Sequence, residues 1–396
     1  MSPVTDSDAD PVTDSGADAD DLAGPFRLEL RAWLGANLTD EVVAAGHGDG
    51  GADDDEGFEV LRRWNAVLAD GGWAAPAWPA AFHGRDATVA EQLAWHEEMA
   101  AAGAPGPVNV IGVSNIAPAI MALGTDEQRR RFLWPMLRGD EIWSQGMSEP
   151  DAGSDLASLR TSAVLDGDDF VVNGQKTWNS LGRRADWCQL YVRTDPKAPK
   201  HKGISCLLVD MQTPGIEVRP LRTMAGDHTF SELFFTDARV PTTQLLGPLH
   251  QGWRVAMTTL SHERAGVARL HLWMSERLES LLAELRGRPV LADPLVRARL
   301  VGLHQRIACM RWSTTRELEA VGRGGQPSPG AGSLTKLMWS QIDQDLAELA
   351  VDVLGLEGLT GRWARVLAAS RQASIAGGTT EINRNIVAEQ ALGLPR

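Results

Sequence analysis

The chain has 396 residues, a formal net charge of −14, 43% hydrophobic and 23% charged residues. That length is enough for two or three domains with a sizeable core, and no apolar run is long enough to span a bilayer. A net acidic balance argues against nucleic acid as a partner, and the expectation is a soluble, cytoplasmic protein.

The charge is concentrated at one end. Asp6, Asp8, Asp10, Asp14, Asp18, Asp20 and Asp21 stand in residues 1–21 with no Lys or Arg among them. Such a stretch buries too little apolar surface to fold, so a disordered acidic tail is expected there. No basic-then-apolar signal peptide opens the chain. Cys188, Cys206 and Cys309 lack paired or metal-like spacing, which fits free thiols in a reducing compartment.

Residues 22–142 carry a helical pattern. Phe26, Leu30, Trp33 and Leu34 form one apolar face, and Val60, Leu61, Trp64, Val67 and Leu68 form another. Between them, Gly46-His47-Gly48-Asp49-Gly50-Gly51 and the acid run Asp53 to Glu56 read as a mobile, solvated loop without calcium-loop spacing. Gly124-Thr125-Asp126-Glu127-Gln128 supplies a helix stop, a cap and a new start.

Residues 143–247 change to a period of two. Phe170–Val172, Trp187–Val192, Ile204–Val209 and Leu233–Phe235 are candidate strands, and Asn173-Gly174 predicts a hairpin turn. Residues 248–396 return to long helices. One stripe is Trp253, Met257, Leu260, Val267, Met274, Leu278 and Leu281; others run through Leu300–Met310 and Met338–Val353. The fold class is α+β in three parts: an N-terminal helical domain, a middle β-sheet domain and a C-terminal four-helix bundle.

The turn formers Pro150, Asp151 and Gly153 should fold Ser148 to Asp155 back tightly, presenting the hydroxyls of Ser148 and Ser154 together, with Trp178 and Ser180 alongside. That segment, followed by Asn173-Gly174-Gln175-Lys176 and Trp178, resembles the flavin-binding signature of the acyl-CoA dehydrogenase family. Gly377-Gly378-Thr379-Thr380-Glu381-Ile382-Asn383-Arg384-Asn385-Ile386 resembles the same family's C-terminal signature. The resemblance covers roughly residues 22 to 396. It implies FAD as cofactor and α,β-dehydrogenation of an acyl-CoA or acyl-carrier thioester to the trans-2-enoyl thioester, with electrons passing to an electron-transfer flavoprotein. The FAD contacts it implies are Met147, Ser148, Ser154, Trp178 and Ser180, with Thr379 and Glu381 from the second signature.

Such a reaction needs a carboxylate at the substrate α-carbon and hydrogen bonds at the carbonyl oxygen, where negative charge develops. In most of the family the carboxylate precedes the Gly-Thr of the C-terminal signature; here that position is Gly377. In the isovaleryl-CoA and long-chain branches a bundle helix supplies a Glu immediately before an Arg, and this chain has Glu263-Arg264. Thr259, Leu260, Gly266 and Val267 lie three and four residues either side of Glu263, with no Lys or Arg among them. Glu263 therefore reads as a buried or cavity-lining base, with Arg264 holding or orienting it. The resemblance leaves Gly377 its main-chain N–H, which would polarise the thioester carbonyl.

In this family the flavin lies between two subunits. The half that a subunit offers its partner is altered here: Arg286-Gly287-Arg288-Pro289 stands where the family has Arg-x-x-Phe-Gly. Asp352-Val353-Leu354-Gly355-Leu356 stands for Gln-x-Leu-Gly-Gly, so Asp352 and Gly355 would face the diphosphate. A homo-oligomer, dimer or tetramer, is the favoured expectation, and one half of a heterotetramer the other. The competing functions are a non-catalytic or half-site subunit, and a family member using oxygen as oxidase or hydroxylase. Ser333-Leu334-Thr335-Lys336 matches the S-x-x-K of penicillin-binding enzymes without the companion motifs, and a helix-capping serine is the expected explanation.

Overall fold

A computed structural model describes residues 23–47, 53–263, 270–322, 325 and 328–395. The acidic tail lies outside them, as does most of the glycine loop.

Six helices open the described chain: α1 (Gly24–Asn37), α2 (Asp40–His47), α3 (Asp55–Asp70), α4 (Val89–Ala101), α5 (Ala117–Leu123) and α6 (Asp126–Arg138). Their starts follow local chemistry. The Asp54 carboxylate accepts from the Gly57 N–H and caps α3. Thr125 and Gln128 form a reciprocal capping box that begins α6 just after Gly124. The acid run is not simply solvated. Asp53 pairs with Arg183 at 3.0 Å and with His228 at 3.1 Å, and Asp55 reaches Arg183 at 2.7 Å and Arg184 at 2.9 Å. Opposite charges on a distant turn convert the expected loop into a latch. Val67 faces outward, and Phe58 and Ala69 take its place in the core.

The middle of the chain forms an eight-stranded sheet from β1 (Trp143–Gly146), β2 (Ser162–Asp166), β3 (Asp169–Ser180), β4 (Trp187–Arg193), β5 (Ile204–Asp210), β6 (Ile216–Leu221), β7 (Phe230–Pro241) and β8 (Leu245–Leu246). The strand order is β6-β7-β3-β2-β4-β5-β8, with β1 parallel to β4. Along β5, Ile204, Cys206 and Leu208 join the N-terminal core, while Leu207 and Val209 join a second core on the opposite face. Both faces of the central strands are thus buried by the two-residue alternation.

Asn173-Gly174 does not make the hairpin turn. Strand β3 runs straight through it, and the turn falls earlier, at Gly167 (φ +64°), between β2 and β3. Gly174 is instead a bulge where the register of β3 against β7 shifts. Its φ is +146°, and a Cβ there would stand 2.7 Å from the Thr161 Cα. The glycine serves close backbone approach.

The last part holds α7 (Gly252–Glu263), α8 (Leu270–Leu285), α9 (Pro294–Gly322) and α10 (Ala331–Leu354), then the short α11 (Leu356–Thr360), α12 (Arg362–Ser370) and α13 (Thr380–Ile386). Met274, Leu278, Leu281, Leu300, Leu303, Ile307, Met310, Ile342, Leu346 and Leu349 share one core. Helix α7 differs: its buried Val255 and Ala256 belong to the N-terminal core, and Met257, expected on the stripe, is exposed. Among the described residues no helix is long and apolar enough to cross a membrane.

Candidate active site

The turn after β1 closes on itself and is then bolted to β3. Glu149 and Ala152 exchange both backbone hydrogen bonds at 3.0 Å, closing the turn around Pro150-Asp151. The Thr177 N–H donates to the Ser148 carbonyl at 2.9 Å, and the Lys176 ammonium donates to the Met147 carbonyl at 3.0 Å. Lys176 also reaches the Glu149 carboxylate at 2.9 Å, and that carboxylate accepts from the N–H groups of Arg160 (2.6 Å) and Thr161 (2.8 Å). Both charged side chains are buried. Burial pushes the Lys176 ammonium down to about 8, against the pull of Glu149. Burial also opposes the Glu149 charge, but Lys176 and the donors around it hold the carboxyl below its ordinary value.

Two residues beyond Lys176 the strand does something uncommon. Trp178 has φ +61°, in the left-handed region that a bulky side chain rarely enters, at a second register shift of β3 against β7. Its indole is 61% exposed and meets Phe230 edge-on at 5.9 Å. A strained backbone that holds a large apolar ring out in the open is a conformation that a planar ligand would complete. Ser180 is tied in by the Ser144 hydroxyl, which donates to its carbonyl at 2.8 Å. Met147, Ser148, Trp178 and Ser180 are therefore brought together. Ser154 lies on the exposed segment beyond the turn, so the two signature hydroxyls are not equally placed; Ser148 is half-buried.

A largely buried polar chain links this region to α7. Asn179 donates to the Gln145 carbonyl at 2.7 Å, Gln145 donates to the Gln189 side chain at 3.1 Å, and Gln189 donates to the Thr259 hydroxyl at 3.3 Å. The Tyr191 hydroxyl bonds the same Thr259 oxygen at 3.2 Å. Spacing places Thr259 one helical turn before Glu263 but carries no sign of its contact with Gln189 and Tyr191. Glu263 is the last residue of α7, four beyond Thr259; its side chain and all of Arg264 lie outside the described residues.

The second signature forms the entry to α13. Gly377 (φ +66°) and Gly378 (φ +85°) both use glycine's left-handed freedom. Thr379 caps α13 by accepting from the Ile382 N–H, and Glu381 sits in the first turn, its carboxyl held below its ordinary value by its own N–H and by Thr379. Ser333 does not cap α10. Gly330 occupies that position, Ser333 is buried further in, and Lys336 of the same motif donates to the Gly378 carbonyl at 2.7 Å. Asp352 stands in the last turn of α10 and Gly355 just past its end, roughly 24 and 29 Å along the axis from Lys336 at 1.5 Å per residue. Asp352 is exposed and paired with Arg299 at 2.9 Å.

Family models for the N-terminal, middle and C-terminal domains of acyl-CoA dehydrogenase match residues 38–140, 144–238 and 250–392. The chain belongs to the acyl-CoA dehydrogenase family. It is 40% identical over 380 residues to the acyl-CoA dehydrogenase IpdE1 of Mycobacterium tuberculosis, covering 94% of this chain and 97% of that one. It is similar to the Tcur3481-Tcur3483 steroid ACAD, with a TM-score of 0.83 at 31% identity over 96% and 99% of the two chains. It is also similar to a chain of the ChsE4-ChsE5 complex from Mycobacterium tuberculosis, with a TM-score of 0.80 at 34% identity over 95% and 98%. The protein is thus an FAD-dependent acyl-CoA dehydrogenase. The exposed Trp178 ring and the clamped Met147-Ser148 turn fit a flavin, which when bound accepts the hydride that leaves the substrate β-carbon.

Proposed function

We propose that this acyl-CoA dehydrogenase oxidises a bulky, steroid-derived acyl-CoA to its 2-enoyl thioester. Glu263 takes the α-proton, as in the isovaleryl-CoA branch, and the electrons go on to an electron-transfer flavoprotein. The observation carrying the base assignment is the Gln145–Gln189–Thr259 chain, half-buried at Gln145 and buried at its other two members, which ties α7 to the strand leading into the flavin turn. One helical turn past Thr259, position 263 falls on the same helix face. The Gly377 N–H serves the thioester carbonyl, Arg264 orients the base, and the similarity to the steroid ACAD supports the acyl class.

The same reading makes the chain one half of a heteromer, rather than the homo-oligomer favoured by the sequence alone. Asp352 carries a carboxylate toward the end of α10 that a partner's flavin diphosphate would meet, and Leu356, where the family has Gly, is 81% exposed. Arg299 offsets the Asp352 charge at 2.9 Å, so Leu356, a bulky side chain where a glycine would let a diphosphate approach the backbone, is what disfavours flavin binding there.

Anaerobic mixing with a panel of acyl-CoAs tests the chemistry. Glu263→Gln should slow flavin bleaching by roughly 10²–10⁴-fold; an unchanged rate removes Glu263 from the mechanism. Flavin content per chain, measured after expression alone and with a partner subunit, tests the assembly.

A further inference from the structure

Lys336 stands near the start of α10 with 7% of its surface exposed. Lysine is rarely so buried unless paired, yet among the described residues no carboxylate lies within salt-bridge distance of it. Its ammonium donates to one main-chain oxygen, the Gly378 carbonyl, at 2.7 Å, and is attracted at longer range by the Glu381 carboxylate. Asn383, 4% exposed, donates to the same carbonyl at 2.8 Å and to the Thr379 carbonyl at 3.0 Å.

These two donors hold a turn that has little stiffness of its own. Two consecutive glycines with positive φ have more backbone freedom than any other dipeptide. With the Gly378 and Thr379 carbonyls drawn toward buried Lys336 and Asn383, the Gly377 N–H has no hydrogen-bonded carbonyl among the described residues. A donor that polarises a carbonyl in the transition state acts through its alignment, and a small error in aim is expensive.

We propose that Lys336 is a positioning residue for dehydrogenation: its contact with the Gly378 carbonyl fixes the two-glycine turn so that the Gly377 N–H meets the thioester oxygen. This rests on the role of the Gly377 amide given under Proposed function. Lys336 neither touches the substrate nor exchanges a proton with it.

The test compares wild type, Lys336→Met, Lys336→Gln and Glu263→Gln as flavin-loaded enzymes in their native assembly. The probe is the 2-enoyl thioester of whichever panel acyl-CoA bleaches the wild-type flavin, isotope-labelled at the thioester carbonyl, and the readout is its stretching frequency when bound. Wild type should lower that frequency relative to free thioester. Lys336→Met should lose most of the lowering, with kcat down about tenfold, less than loss of a whole oxyanion donor, and KM within about twofold. Lys336→Gln should fall between, because its shorter amide still donates. Glu263→Gln should lose turnover and keep the frequency shift.

An unchanged frequency in both Lys336 variants overturns the proposal. So does failure of both to hold flavin, which would make Lys336 merely structural. If the wild type shows no lowering, the Gly377 reading falls and takes this one with it. If Glu263→Gln turns over normally while the Lys336 variants lose the shift, only the base assignment fails.

Discussion

Lys176 donates its ammonium to the Glu149 carboxylate at 2.9 Å in the protein interior, joining the flavin turn to the strand that carries Trp178. Removing one partner strands the other charge. Lys176→Met should destabilise the fold by about 3–5 kcal/mol and release flavin, as read by denaturant unfolding and by flavin absorbance after gel filtration. Combining Lys176→Met with Glu149→Gln should cost less than Lys176→Met alone, because no buried charge then lacks its counter-ion.

The same pair gives stability a definite pH dependence. The Glu149 carboxyl is held below its ordinary 4.5, so its contribution is complete above that value and lost as pH falls through the lower folded value. Burial takes the Lys176 ammonium from 10.5 to about 8, so across that interval the unfolded chain binds a proton that the fold does not. Stability from this group rises with pH between those values. Unfolding free energies measured at both ends of the range should show these slopes, and Lys176→Met should abolish the alkaline one.

Trp178 spends folding energy on a conformation the sheet does not need. Trp178→Gly should relieve its positive φ and raise the stability of the flavin-free protein by about 1 kcal/mol, within the 1–3 kcal/mol typical of such strain. Flavin affinity should fall at the same time. Melting temperatures with and without FAD check both; parallel losses in the two states would mean that the residue is an ordinary part of the sheet.

Thr259 joins α7 to the sheet through Gln189 and Tyr191. Thr259→Val keeps the volume but leaves Gln189 and Tyr191 without their shared partner, costing about 1–3 kcal/mol for the unpaired buried groups. It should slow flavin bleaching while leaving flavin content unchanged. Rapid-mixing absorbance on protein of verified stoichiometry measures this.

Much of the architecture could be read from periodicity. The helix start at Thr125, the core faces of α1 and α8 and four of the strands follow from spacing, because each depends on neighbours within a few residues. The other four have weak local signals: β1 reads Trp-Ser-Gln-Gly, β2 and β6 bury little of their length, and β8 is two residues long. Asn173-Gly174 misled because the residues of a tight turn also suit a bulge, and only the pairing of β3 with β7 and the approach of Thr161 select between them.

From the sequence alone came the two signatures, the glycine where the resemblance places the base of most of the family, and the Glu263-Arg264 pair proposed in its stead. These are statements of residue identity, which needs no coordinates. Tertiary structure decided what each identity does: that Lys176 and Glu149 are a buried pair, that Trp178 is strained outward, that Asp53 grips His228, and that Lys336 belongs to the turn at Gly378. Each joins residues 27 to 175 positions apart, or, for Trp178, depends on a register shift against a distant strand. Desolvation and strain arise only when such partners meet, so no local pattern can carry them.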